Sequence, residues 1–298
     1  MIQEFNNRNK DIKIWINGEL LHRDKAKVSV FDSVVQGGDA VWEGIRVYDG
    51  KIFCFDKHLN RLMESAKSMD FQDIPTLEYI KDAVFSTLKA NGMKDETHIR
   101  LTLTRGEKIT SGMNPKLNRF GFTLIVLAEW KPSIYSGKKL KLVTANIRRN
   151  SPLCLDSKIH HNNLINNILA KIEANQAGVD DAVMLDLNGF VAETNATNLF
   201  MIKNGVVSTP FPKACLPGIT RGLIIEICKN NNIPISEQDI SLTELYNADE
   251  VFTTGTMGEL ARVIEIDKRK IENKGGVLMQ LQSLFRKLTE IQGEKLTF

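Results

Sequence analysis

Apolar residues recur with two periods along this chain, and the periods predict its elements. Ile12-Lys-Ile-Trp-Ile16 and Leu20-Leu21 flank Asn17-Gly18, the pattern of a β-hairpin closed by a type I′ turn. Leu59, Leu62, Met63, Ala66 and Met69 repeat at helical spacing and predict a helix over roughly Lys57 to Met69. A second helix is expected from near Thr76 to Asn91, stopped by Gly92. Strand-like runs follow near His98 to Thr104, Phe120 to Trp130 and Leu140 to Asn146. Leu164, Ile165, Ile168, Leu169 and Ile172 then line one face of a helix that Gly178 ends. Val183, Leu185 and Leu187 alternate before Asn188-Gly189, and a further Asn-Gly turn stands at Asn204-Gly205, so antiparallel pairing is expected here too. Ser241-Leu-Thr-Glu244 is a capping box opening a short helix. Val277, Leu278, Leu281, Leu284, Phe285, Leu288 and Ile291 make a closing amphipathic helix. The mixture predicts an α+β chain rather than a doubly wound sheet.

A length of 298 residues is long for one core and favours two domains. The polar stretch Lys131-Pro-Ser-Ile-Tyr-Ser-Gly-Lys138 is the expected interdomain linker, with residues 1–130 as a small N-terminal domain and 139–298 as a larger one. A hydrophobic fraction of 42% and a charged fraction of 25% fit a soluble globular protein. The net charge of +3 is too small and too evenly spread to indicate a nucleic-acid or lipid surface. Cys54, Cys154, Cys215 and Cys228 have neither redox-pair nor zinc-ligand spacing and read as reduced, mostly structural thiols. Met-Ile-Gln-Glu-Phe-Asn-Asn-Arg at the N-terminus has no apolar signal core, and the longest apolar run, Phe122 to Ala128, is a strand's length. A cytoplasmic location is the default expectation.

The candidate chemistry lies in the second half. Asp156-Ser-Lys158-Ile-His-His-Asn-Asn163 separates a strand from a helix; Glu193 stands in Glu-Thr-Asn-Ala-Thr-Asn-Leu-Phe. Leu-Pro-Gly-Ile-Thr-Arg runs from Leu216 to Arg221, and Thr-Thr-Gly-Thr-Met-Gly-Glu-Leu from Thr253 to Leu260. A lysine, an acid and two turns rich in amide and hydroxyl donors are what pyridoxal 5′-phosphate (PLP) chemistry requires. His160 and His161 are adjacent, diverge in an extended segment and have no third ligand nearby, so they do not read as a metal site. A role in positioning the cofactor segment is the expectation for them.

With Val34-Val-Gln-Gly-Gly-Asp-Ala-Val-Trp-Glu-Gly-Ile-Arg46, these segments make the chain similar along nearly its whole length to class IV (fold-type IV) PLP enzymes. It most resembles the branched-chain aminotransferase-like branch. The resemblance implies a two-domain α+β fold of the D-amino acid aminotransferase kind and a homodimer with PLP in the larger domain. Lys158 then matches the Schiff-base lysine and Glu193 the carboxylate facing the pyridine nitrogen. Arg61, in His58-Leu-Asn-Arg-Leu62, matches the phosphate-binding arginine. Gly218, Ile219 and Thr220 match one phosphate turn, and Gly255 and Thr256 the second.

The substrate side is less conventional. Arg100, in His98-Ile-Arg, falls where branched-chain aminotransferases carry an arginine, whereas Arg105, in Thr104-Arg-Gly106, falls where D-amino acid aminotransferases carry theirs. Their odd separation would put them on opposite faces of a regular strand. Positions that are usually aromatic in true branched-chain enzymes are Gly37, His98 and Asn163 here, and Trp42 takes a place often held by Phe or Tyr. The leading expectation is an aminotransferase acting on an amino acid and a 2-oxo acid. The alternatives are a PLP lyase of the aminodeoxychorismate lyase type and a D-amino acid aminotransferase.

Overall fold

The computed structural model describes residues 5–132 and 139–298. Residues 133–138 of the expected linker, and the first four of the N-terminal segment, lie outside the described residues. The chain forms two compact units.

The smaller unit comprises the described residues up to Pro132, with Ile159–Asn163 and Glu290–Phe298. Its antiparallel sheet runs in the order Glu294–Lys295, Lys51–Ile52, Ala40–Tyr48, Thr97–Thr104, Thr123–Trp130, Lys13–Ile16, Glu19–His22. Asn17 and Gly18 have φ of 45° and 99°, as a type I′ turn requires. Helices Phe55–Ser68 and Leu77–Asn91 fall within two residues of their expected bounds. Thr76 caps the second by accepting from the Tyr79 amide, and Gly92 closes it at φ 63°. Pairing of Ala40 with Thr104 through Val47 with Thr97 sets the register of the two central strands. Alternation then sends Val41, Ile45, Val47, Ile99 and Leu101 into the core beneath the helices. Trp42, Gly44, Arg46, His98 and Arg100 share the opposite face.

The larger unit takes the described residues from 139 to Lys158, with Leu164–Thr289. Its strands run Ile235–Gln238, Val206–Pro210, Asn198–Lys203, Glu250–Gly255, Glu259–Ile266, Lys139–Thr144, Asp181–Leu185, Val191–Thr194. The expected antiparallel pairs form at Asp181–Leu185 with Val191–Thr194 and at Asn198–Lys203 with Val206–Pro210. Parallel pairings, as of Lys139–Thr144 with Glu259–Ile266 and with Asp181–Leu185, make the sheet mixed. Such long-range pairings carry no local turn signal.

The expected helix forms as Ile165–Gln176, and its large apolar residues face outward: among the described residues Ile165, Ile168, Leu169 and Ile172 are all exposed. The inward residues are Ala170 and Ala174, packed with Ala145, Ala182 and Met184. Small side chains let the helix lie close on the sheet, and the large ones point away. Among the described residues no helix is long and apolar enough to cross a membrane.

Candidate active site

In the larger unit, Lys158 follows the strand Lys139–Thr144 by an irregular loop. Its amide donates to Asp156 Oδ1 at 3.0 Å, while its Nζ lies 3.8 Å from the same carboxylate, with the side chain 46% exposed. Glu193 lies on the strand Val191–Thr194 and is buried. Arg149 Nε donates to Glu193 Oε1 at 2.6 Å, and Asn198 Nδ2 lies 3.3 Å from Oε2. Burial pushes the Glu193 carboxyl above its ordinary range, and Arg149 opposes that rise. Arg149, together with the Leu216 amide, favours the ionised carboxylate against that burial. Arg149 is itself held by its Nη1 bond to Asn166 Oδ1 and its amide bond to Leu185 O.

Gly218 is the N-cap of helix Ile219–Asn230, and no side chain caps that end. The first amides of the helix therefore point at a place where an anion can be held, and the buried Thr220 stands in the first turn. A side chain at position 218 would collide with Asn198 Oδ1, which fixes glycine there. Thr256 follows the strand Glu250–Gly255 and is half-buried; nearby in sequence, Thr254 Oγ1 is buried and has no hydrogen-bond partner among the described residues. Cys215, one residue before the Leu216–Arg221 turn, is buried with its thiol pushed up to about 12 and so stays protonated.

In the smaller unit, Arg61 lies on helix Phe55–Ser68 and forms a two-bond fork to the fully buried Glu43, with Nε to Oε1 and Nη2 to Oε2 both at 2.7 Å. His58, one turn earlier, donates from Nδ1 to Oε2 at 2.7 Å. The segment that follows Lys158 in the chain lies along the strand Ala40–Tyr48. Trp42 N donates to His160 O at 2.9 Å, Trp42 Nε1 to His161 O at 3.1 Å, and Asn162 N to Ala40 O at 2.8 Å. The His160 ring lies against that of Trp42, with centroids 4.1 Å apart and the planes tilted by 39°.

The two arginines have different surroundings. Arg105 lies one residue beyond the end of Thr97–Thr104, so strand alternation does not decide between them. Its guanidinium forks onto Asp39 at 2.7 and 3.2 Å, donates to the Met69 and Asp70 carbonyls, and covers the Phe71 ring. Arg100 sits within the strand, 3.4 Å from the Trp42 ring centroid, and donates once to Asn162 Oδ1 at 3.2 Å. Burial brings its pKa down to about 10. His98 shares the face, its pKa lowered to about 3 by burial and by Lys131, Arg46 and Arg100. A side chain at Gly44 would come within 3.0 Å of His98 Nε2, so the glycine makes room for that ring. Gly37 ends the short helix Ser33–Gly37 and is exposed, as is Asn163.

The motifs named Lys158, Glu193 and Arg61 but not the groups that hold them. Arg149, Asn198, Glu43 and His58 emerge only from the contacts. Asn198, Glu43 and His58 did lie inside the quoted motifs, and His58 stands three residues before Arg61, a spacing that puts both on one helix face.

The chain belongs to the class IV amino-transferase family, whose model matches residues 40–266. It is 59% identical over 288 residues to branched-chain-amino-acid aminotransferase-like protein 2 of Arabidopsis thaliana, covering 96% of this chain and 52% of that protein. The chain thus spans about half the length of the plant relatives it matches first. It is 33% identical to the branched-chain-amino-acid aminotransferase of Pseudomonas aeruginosa, over 93% of this chain and 92% of the relative. Among solved structures, the branched-chain amino acid aminotransferase of Escherichia coli superposes with a TM-score of 0.88 at 30% identity, covering 94% of this chain and 95% of that one. The expected two-domain α+β fold of class IV enzymes is therefore the fold of this chain.

Proposed function

We propose that this chain is a PLP-dependent aminotransferase that moves an amino group between an amino acid and a 2-oxo acid. The observation that carries this reading is the buried Glu193–Arg149 pair, in the unit that also contains Lys158 and an uncapped helix N-terminus beside Thr220. Lys158 would hold the cofactor through its amine, and Glu193 would face the ring nitrogen. Gly218, Ile219, Thr220, Gly255, Thr256 and Arg61 would hold the phosphate. Bound there, the cofactor supplies an electron sink for bond breaking at the substrate's α-carbon. Once the substrate's amine has taken its place on the cofactor, the freed Lys158 Nζ would take the α-proton, and Glu193, in its ionised form, would keep a proton on the ring nitrogen by its charge. Arg100, whose side chain makes one hydrogen bond against four for Arg105, is the better candidate for a substrate carboxylate. Trp42, His98, Gly37 and Asn163 complete the proposed substrate wall.

A homodimer fits the exposed apolar face of Ile165–Gln176, which a second copy would cover. A cytoplasmic, reducing location fits four cysteines that have neither redox-pair nor zinc-ligand spacing. Borohydride reduction of the cofactor-loaded protein, followed by peptide mapping, tests the assignment. Label is expected on Lys158, and label on another lysine refutes it. Turnover that depends on an oxo-acid acceptor separates transfer from lyase chemistry.

A further inference from the structure

Four N–H donors converge on one carboxylate that water does not reach. Glu43 Oε1 accepts from Arg61 Nε at 2.7 Å and His160 Nδ1 at 3.2 Å; Oε2 accepts from Arg61 Nη2 and His58 Nδ1, each at 2.7 Å. An ionised carboxylate offers about four acceptor positions, so this set is filled. Burial alone would raise the carboxyl, but His160, Arg61 and His58 bring it well below the usual range. Burial also lowers both histidines, His160 to about 4, so each imidazole is neutral at pH 7. Their single ring protons lie on Nδ1, because Glu43 can only accept. Arg61 Nη2 is also 3.5 Å from His160 Nδ1, but two donors cannot share that contact, and the shorter one to Glu43 sets the tautomer. Glu43 and Arg61 are thus the charged members, and both histidines serve the carboxylate.

A fork of two parallel bonds fixes a guanidinium in plane and in direction, which a single contact does not. Within the smaller unit, the fork on Glu43 thus sets the orientation of the whole guanidinium. The His160 amide, which donates to Ser65 Oγ at 3.1 Å, and the Trp42 ring, in tilted contact with the imidazole, hold the far side of the network. We propose that Glu43 is a positioning residue: its fork on Arg61, buttressed by His58 and His160, aims the guanidinium at the phosphate of the cofactor. The inference rests on Arg61 being a phosphate ligand, as read above. An opposed effect is built into the same geometry, since the Glu43 charge also repels a phosphate. The sign of its removal therefore decides which effect wins.

The experiment is titration of the cofactor-free protein with PLP and, separately, with pyridoxal, which lacks the phosphate. R61A is expected to weaken PLP by roughly ten- to hundredfold or more, as loss of a desolvated charge-assisted fork implies. E43Q is expected to weaken PLP on the order of tenfold and pyridoxal by less than about twofold, because only the phosphate contact is misaligned. The double variant E43Q/R61A should bind PLP no more weakly than R61A, since one residue acts through the other. Where circular dichroism shows that E43Q does not fold, E43D replaces it. That change keeps the charge, retracts the carboxylate by one methylene, and should lower the ratio of PLP to pyridoxal affinity in the same direction. Unchanged or tighter PLP binding in the Glu43 variant overturns the proposal, as do equal losses for both ligands or additive losses in the double variant. R61A that retains PLP like the wild type overturns the phosphate reading of Arg61, and the proposal with it.

Discussion

A carboxylate can keep a pyridine nitrogen protonated by charge only while it is itself ionised, and burial works against that at Glu193. Arg149, at 2.6 Å, supplies the compensation. Glu193→Gln should therefore leave the cofactor bound but slow the half-reaction with an amino acid, on the order of a hundredfold or more. Arg149→Met should slow the same step in the same direction, because the carboxyl it leaves behind takes up a proton. Single-turnover absorbance traces of the two variants check both, and a near-normal rate in either refutes the role assigned to that residue. The substrate wall is also decided residue by residue. A buried methylene contributes only about 0.8 kcal/mol, whereas a polar group left unpaired costs about 1–3 kcal/mol. His98 is neutral and buried on the face that carries Arg100 and Trp42; if that face is the substrate wall proposed above, a purely aliphatic side chain offers its ring no hydrogen bond. Specificity constants over a panel of L- and D-amino acids should then show a preference not confined to leucine, isoleucine and valine. A clear optimum on those three, with polar donors far behind, would refute the effect assigned to His98, Gly37 and Asn163.

At the scale of elements, helix Ile165–Gln176 carries two apolar faces of different kinds. The alanine face packs on the sheet, and the isoleucine-leucine face meets solvent in the single chain. Four large apolar side chains on adjoining turns are an unusual cost unless another surface covers them. If the proposed homodimer forms through this face, replacing Ile168 and Ile172 by Glu should shift sedimentation velocity from dimer to monomer. It should alter the monomer's own stability by no more than about 0.5 kcal/mol per site, as for other exposed positions. A variant that still sediments as a dimer would place the interface elsewhere.

At the scale of the whole molecule, buried neutral histidines make stability depend on pH. His98 and His160 are lowered to about 3 and about 4 from an ordinary 6.5, and His58 is lowered too. Well above pH 6.5 folded and unfolded states bind equal numbers of protons at these rings. Below it the unfolded chain takes up protons that the native state refuses, so stability falls as pH drops. Each fully differential histidine contributes a slope of ~1.4 kcal/mol per pH unit, continuing until its folded pKa is reached. Thermal midpoints should therefore decline steadily from about pH 6.5 toward pH 4.5, and His98→Asn should make that decline shallower. An unchanged slope in that variant would mean His98 titrates normally in the native protein.

What the sequence by itself determined is what local rules govern. Asn17-Gly18 defined a hairpin because only positive φ at both residues fits the strand twist. Thr76, Gly92 and Ser241 marked helix ends because each satisfies or redirects backbone groups within four residues. The family strings marked Lys158, Glu193, Arg61 and the two phosphate turns as candidates. What only the tertiary structure decided depends on residues far apart in the chain. The parallel pairings of Lys139–Thr144 join segments with no turn between them. Arg149 reaches Glu193 across 44 residues, and Glu43 meets His160 across 117. Helical periodicity likewise located an apolar stripe at Ile165 to Ile172 but not the direction it faces. A period records that one side of a helix differs from the other; which side meets the sheet is decided by the shape and volume of what lies opposite, and here that place was filled by alanines.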